Sequence, residues 1–204
     1  MKIKKKGIYK LFLIGIDEAG RGPLAGPIVV GGVMLAVQNR SEERKIFASI
    51  RDSKKLTPPK RENWLKFIKN HTQVTYARAI ISPAVIDKIN ISQAALLGAE
   101  KVYQKLLARA VWHNPQKIIT RLDGGLRLKN AACETIIKGD EKIPVIAAAS
   151  IVAKTCRDNL MLNWHKKYPL YGFDKHKGYG TLRHREALRK FGACQIHRRS
   201  FTFR

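Results

Sequence analysis

The stretch Leu11-Phe12-Leu13-Ile14-Gly15-Ile16-Asp17-Glu18-Ala19-Gly20-Arg21-Gly22-Pro23-Leu24-Ala25-Gly26-Pro27 decides the fold. Its apolar half, bounded by glycine, predicts a buried strand. Two adjacent acids end that strand, where desolvating a carboxylate is costly unless a cation compensates. The Gly/Pro-rich half is a tight connection, and residues 27–36 beyond it form a second apolar run. The two runs are expected to pair as a hairpin.

Outward from this hairpin the pattern alternates. Thr57-Pro58-Pro59 opens a helix running to about residue 69, a capping threonine followed by proline in the first turn. Residues 72–82 alternate as a third strand. Ile91, Ala95, Val102, Leu106 and Ala110 recur at helical spacing over 91–111. Two short strands follow, one from Lys117 to Leu122 ending at Asp123-Gly124-Gly125, one from Thr135 to Lys138 ending at Gly139-Asp140. A helix over about 144–166 has a small, apolar first half that suits close packing on a sheet, and a short helix is expected near 182–190. Strands alternating with helices after a hairpin predict a mixed α/β sandwich, and no linker divides it.

The chain has 204 residues and a formal charge of +25, from 40 Lys and Arg against 15 Asp and Glu. Such a field favours nucleic acid over an anionic membrane surface or a polyacidic partner. Its plainer reading is a generic positive surface. Cys133, Cys156 and Cys194 are widely spaced and form no CxxC pair, which argues against a zinc ribbon. The basic start Lys2-Ile3-Lys4-Lys5-Lys6 precedes too short an apolar run for a secretion signal, and no segment reaches membrane-spanning length. The expected setting is the reduced cytoplasm.

Against this cationic background, predicted strand ends deliver Asp17 with Glu18, Asp123, and Asp140. Hard divalent cations take oxygen ligands of this kind. Four such acids suffice for a pair of ions, one activating water and the other stabilising a leaving oxygen. Taken singly, Asp123 and Asp140 serve equally well as turn residues.

Residues 15–27 closely resemble the N-terminal signature of the ribonuclease HII family. The resemblance continues through Asp52-Ser53-Lys54-Lys55-Leu56, Asp123-Gly124 and Lys138-Gly139-Asp140. It extends over Ala147–Asp158, His176-Lys177-Gly178-Tyr179-Gly180-Thr181 and His197-Arg198-Arg199-Ser200-Phe201. It implies an α/β RNase H-like fold, with a mixed central sheet flanked by helices. Residues 1–167 would form the catalytic domain and residues 168–204 a small helical extension packed on it. It further implies cleavage of RNA in RNA–DNA hybrids and incision at single ribonucleotides embedded in duplex DNA.

By position the resemblance makes Asp17, Glu18, Asp123 and Asp140 both the catalytic acids and the ligands of Mg²⁺ or Mn²⁺. It makes Gly20, Arg21 and Gly22 the ribose-facing loop and Tyr179 the substrate-sensing tyrosine. Arg21, Ser53, Lys54, Lys55 and Lys177 are the candidates for phosphate contacts. The chain departs from the family pattern after Asp123, where Gly125-Leu126-Arg127-Leu128-Lys129 replaces a more polar stretch.

The residue types fit that chemistry. RNA differs from DNA by its 2′-hydroxyl, and a glycine-flanked backbone lets a ribose approach closely. Read alone, Gly20-Arg21-Gly22 is also a plain turn and Tyr179 a packed aromatic. His176 is expected at the surface rather than in the site, and Asp158 as a structural partner of a cation. Rival readings are a non-catalytic relative, a DNA resolvase on the same fold, and a basic ribosomal protein. A monomer is expected; a sliding clamp is a conceivable partner that no motif here specifies.

Overall fold

The computed structural model describes residues 11–48, 50, 56–110 and 117–201. Strands β1 (Leu11–Ala19), β2 (Ile28–Val37), β3 (Val74–Ile81), β4 (Lys117–Asp123) and β5 (Glu134–Ile136) form one sheet in the order β3-β2-β1-β4-β5. β1 and β2 are the expected antiparallel hairpin, and β3 extends it antiparallel on β2. β4 and β5 add in parallel on the other side of β1. The helices are α1 (Ser41–Ile46), α2 (Pro58–Asn70), α3 (Pro83–Ala110), α4 (Gly139–Lys142), α5 (Pro144–Lys167), α6 (Phe173–His176) and α7 (Leu182–Phe191).

Strand side chains alternate between faces, and on β1 that parity separates two cores. Phe12, Ile14 and Ile16 pack with Ala95, Ala99, Val102 and Leu106 of α3. Leu11 and Leu13 turn to the opposite face, against Val145, Ala149 and Val152 of α5. Gly15 continues this second face, and a Cβ there would lie 2.4 Å from the Val145 carbonyl carbon. The absent side chain lets the α5 backbone cross the strand at close range. The alanines of α5 serve the same approach: Ala147, Ala148 and Ala149 are all buried.

The C-terminal part docks on this frame through a third apolar cluster of Ala25, Met161, Tyr171, Phe173, Ala187, Leu188 and Ile196. Residues 22–27, the connection inside the hairpin, are held from two sides. Leu24 N–H donates to the Gly178 carbonyl at 2.9 Å, and Gly26 N–H to the Ile196 carbonyl at 2.8 Å. Arg198 N–H donates in turn to the Leu24 carbonyl at 2.8 Å.

Several elements differ from the sequence reading. Helices α1 and α6 lie where that reading has none; with six and four residues they are too short for a periodic signal. Helix α3 begins at Pro83 rather than 91, in two segments that meet at Asn90. Asn90 has φ 63° and its Oδ1 accepts from Gln93 N–H, so it caps the second segment, the part that periodicity had revealed. β5 stops at Ile136, so Asp140 stands in the short helix α4 and not at a strand end. Among the described residues no helix is long and apolar enough to cross a membrane.

Candidate active site

Sheet register brings the first acids together. Asp17 follows Gly15 on the α5 face of β1, and Asp123 has the same parity on β4. The parallel ladder pairs Ile16 with Leu122, so Asp17 and Asp123 emerge one step further on, on neighbouring strands. With Glu18 they line a cleft of about 310 Å³. Ala19, Gly20, Arg21, Gly22, Ser150, Lys154, Arg157 and Tyr179 complete its wall.

Asp17 is 2% exposed. Its Oδ1 accepts from the Glu18 N–H at 2.7 Å, and its Oδ2 is buried without a hydrogen bond of normal length. Burial, and then the charges of Glu18 and Asp123, raise its pKa well above the usual carboxylate range. The Ser150 hydroxyl and the Glu18 amide pull in the opposite direction. Like charges on neighbouring strands disfavour one another, so this corner of the sheet is a place that a cation would relieve.

The other acids are held by protein groups. Arg21 Nε donates to Glu18 Oε1 at 2.5 Å, and Arg21 Nη2 to the Gly125 carbonyl at 3.2 Å. Gly139 N–H donates to Asp123 Oδ1 at 2.6 Å, tying α4 to β4. Asp140, the next residue, is 1% exposed and borders an adjoining cavity with Arg44, Phe47 and Pro144, not the Asp17 cleft. As the side chains stand, no group of three His, Cys, Asp or Glu among the described residues is drawn together tightly enough to hold an ion. The donor set nonetheless fits a hard divalent cation: all are carboxylate oxygens, and the buried Asp17 Oδ2 lacks a normal hydrogen bond.

Gly20 carries φ +103°, and a Cβ there would lie 2.2 Å from Arg157 Nε, so no larger residue fits between strand and arginine. The Gly20 and Arg21 carbonyls already accept from Arg198, at 2.6 and 2.8 Å. Both carbonyls are thus engaged within the protein. Tyr179 is 46% exposed at the cleft, with the Arg157 guanidinium 5.9 Å from its ring centroid. Its backbone is fixed by Tyr179 N–H donating to the His176 carbonyl at 2.9 Å and by His184 Nδ1, 2.9 Å from the Tyr179 carbonyl.

Lys177 lies outside this cleft. Its Nζ turns back to the Asp174 carbonyl, and it lines a second cleft of about 370 Å³ with Arg61, Lys154 and Lys175. Lys154 borders both clefts. Ser53, Lys54 and Lys55 lie outside the described residues. His176 stacks on His184 with ring centroids 4.5 Å apart, a packing position and not a cleft one. Asp158 is the expected structural acid, bound by Lys154 at 2.8 Å and Arg61 at 3.4 Å.

Sequence reasoning assigned no role to Ser150, Lys154 or Arg157. Their signal was available: they recur at i, i+4 and i+7 on α5, which puts polar groups on one face of an otherwise apolar segment. The departure after Asp123 also has a physical account. Leu126 and Leu128 are buried in the α3-side core while Arg127 and Lys129 point out, so the loop is anchored by alternation.

The family model described as Ribonuclease HII matches residues 14–203. The chain belongs to the ribonuclease HII family. It is 46% identical over 191 residues to ribonuclease HII of Chlamydia caviae, covering 93% of this chain and 84% of that protein. Among solved structures it is similar to ribonuclease H2 from Pyrococcus horikoshii OT3, with TM-score 0.69, 30% identity and 93% of each chain covered. It is also similar to the PCNA:RNase HII complex from Archaeoglobus fulgidus, with TM-score 0.65, 26% identity and 95% and 96% covered. As a ribonuclease HII, the chain is a divalent-metal-dependent endonuclease that acts on RNA–DNA hybrids. The α/β RNase H-like fold expected from sequence is the one observed.

Proposed function

We propose that this ribonuclease HII also incises duplex DNA on the 5′ side of a single embedded ribonucleotide, leaving 3′-hydroxyl and 5′-phosphate ends. The observation that carries the reading is one cleft lined at once by Asp17, Glu18 and Asp123 and by Arg21, Gly22 and Tyr179. Acids for metal and a glycine-flanked backbone for a ribose are what cutting beside a 2′-hydroxyl requires.

In this reading Asp17, Glu18, Asp123 and Asp140 hold two divalent ions, Mg²⁺ or Mn²⁺. Bound there, the ions would ready a water for in-line attack and take up charge on the leaving oxygen. Asp17 and Asp123 supply ligands from a rigid sheet, which fixes where the phosphate must sit. Arg21 orients Glu18. The amides of the Gly20–Gly22 loop face the 2′-hydroxyl, and Tyr179 stacks on the adjoining sugar or base. Lys154, at the junction of both clefts, and Lys177 steady the flanking phosphates, together with Ser53, Lys54 and Lys55.

Residues 168–204 act as an extension that carries Tyr179 to the catalytic unit of residues 1–167. The likeness to the PCNA:RNase HII complex makes a sliding clamp a candidate partner. The remaining expectations are a monomer in the cytoplasm.

The test is a duplex carrying one ribonucleotide beside its all-DNA twin, with Mg²⁺, with Mn²⁺, and with neither. Cleavage confined to the ribonucleotide strand, 5′ of the ribose, and dependent on metal is the expected result. Equal cutting of the all-DNA twin, or a cyclic phosphate end, would overturn it.

A further inference from the structure

Arg198 is 2% exposed and is absent from the cleft wall, yet it governs the loop that forms that wall. Its guanidinium donates through Nε to the Gly26 carbonyl at 2.9 Å, through Nη1 to the Arg21 carbonyl at 2.8 Å and through Nη2 to the Gly20 carbonyl at 2.6 Å. One planar group thereby joins both ends of the hairpin connection. Arg157 holds the same connection further along, through Ala25 and Pro27 carbonyls at 3.2 and 3.1 Å.

The consequence follows from peptide geometry. In a trans peptide the C=O of one residue and the N–H of the next point in opposite directions, and no described peptide bond is cis. Drawing the Gly20 and Arg21 carbonyls toward Arg198 therefore turns the Arg21 and Gly22 N–H groups away from it, and both residues line the cleft, whose wall Arg198 does not reach. Burial, and then the Arg157 charge, lower the Arg198 pKa to about 9, so it remains a cation at neutral pH. Phe201 packs 4.9 Å from its guanidinium carbon. Asp87 on α3 accepts from Arg199 N–H and Ser200 N–H, each at 3.0 Å, which fixes the chain just after it.

We propose that Arg198 is a positioning residue that aims the Arg21 and Gly22 amides at the ribose 2′-hydroxyl. The inference rests on the reading of this loop as the ribose reader. Lysine cannot replace it, because a point charge does not span three carbonyls as a guanidinium fork does.

The experiment compares wild type, Arg198→Lys, Arg198→Ala and Asp87→Ala on the single-ribonucleotide duplex and its all-DNA twin. It measures kcat and KM separately, with Tm alongside. Arg198→Lys is expected to lose ~100-fold in kcat, the scale of a small misplacement at a reacting centre, with KM and all-DNA affinity nearly unchanged. Millimolar guanidinium should restore part of the Arg198→Ala activity, and urea at the same concentration should not. Asp87→Ala loosens the clamp and removes a charge that favours the Arg198 cation, but leaves the three guanidinium hydrogen bonds in place, so a smaller kcat loss is expected; it decides the matter if the Arg198 variants do not fold. Backbone amide NMR shifts of Arg21 and Gly22 should respond to the ribonucleotide duplex in wild type and not in Arg198→Lys. Wild-type kcat in Arg198→Lys, or unaltered amide responses, would overturn the inference while wild-type discrimination stands. Loss of discrimination in wild type itself would instead sink the ribose reading.

Discussion

Asp17 concentrates the electrostatic tension of the molecule in one side chain. Its carboxyl titrates above the usual range because burial and two neighbouring acids oppose its charge. A carboxyl of raised pKa contributes stability at low pH that is lost as pH rises through the folded value. Asp17→Asn imitates the neutral form, so its Tm in metal-free buffer at pH 7 is expected to exceed that of wild type. Added Mg²⁺ should then raise the Tm of wild type more than that of the variant, because binding to the native state alone stabilises it. Cleavage by Asp17→Asn should fall by ~10²–10³-fold, on the scale of removing one preorganised electrostatic group, while hybrid binding persists. Undiminished turnover would refute the metal assignment. At Tyr179, alanine should reduce cleavage at single ribonucleotides more than affinity for all-DNA duplex, and equal loss on both would count against a sensing role.

At the scale of elements, α5 is the member whose position matters most to the cleft. It carries Ser150, Lys154 and Arg157 into the wall, and it lies close to β1 because Gly15 has no side chain. Gly15→Ala would drive a methyl into the Val145 backbone, and backbone cannot rotate aside as a side chain can. A loss of about 1–3 kcal/mol is expected in urea unfolding, the ordinary cost of overpacking, with cleavage reduced as the helix shifts. The loop between β4 and β5 is anchored differently, by Leu126 and Leu128. Leu126→Ala should cost about 2–5 kcal/mol, as buried leucine truncations do. If that loop floated free of the core, the loss would fall well below this range.

The whole molecule depends on its C-terminal part being docked, and three histidines sit in that joint. His184 Nε2 lies 3.0 Å from His197 Nε2 while His184 Nδ1 meets the Tyr179 carbonyl, a network that neutral tautomers complete. Burial lowers the His184 pKa from 6.5 to about 4, and His176 and His197 shift the same way. A depressed pKa means stability that is present above 6.5 and lost as pH falls toward 4. Asp87, held below its ordinary 3.8, loses its contribution only in stronger acid. In an Asp17→Asn background, which removes the opposing titration of that carboxyl, Tm is expected to hold from pH 8 to 6.5 and to fall between 6.5 and 4, with a shallower fall when His184→Gln is added; an equally steep fall with that second change would count against the histidine joint. The sequence alone determined the order of the strands and the longer helices, the hairpin, the α5 helix and the cationic field, because strand and helix periodicities and glycine punctuation are local. It also delivered the family motifs, since those are short runs of residues. Only the tertiary structure decided that Asp17 and Asp123 share one face of adjacent strands, that Asp140 stands on a short helix tied to Asp123 through Gly139, and that the Lys177 Nζ turns back to the Asp174 carbonyl. It alone showed that Arg198 consumes the loop's carbonyls from more than a hundred residues away. Register and long-range hydrogen bonds join residues distant in sequence, and no local pattern encodes which of them will meet.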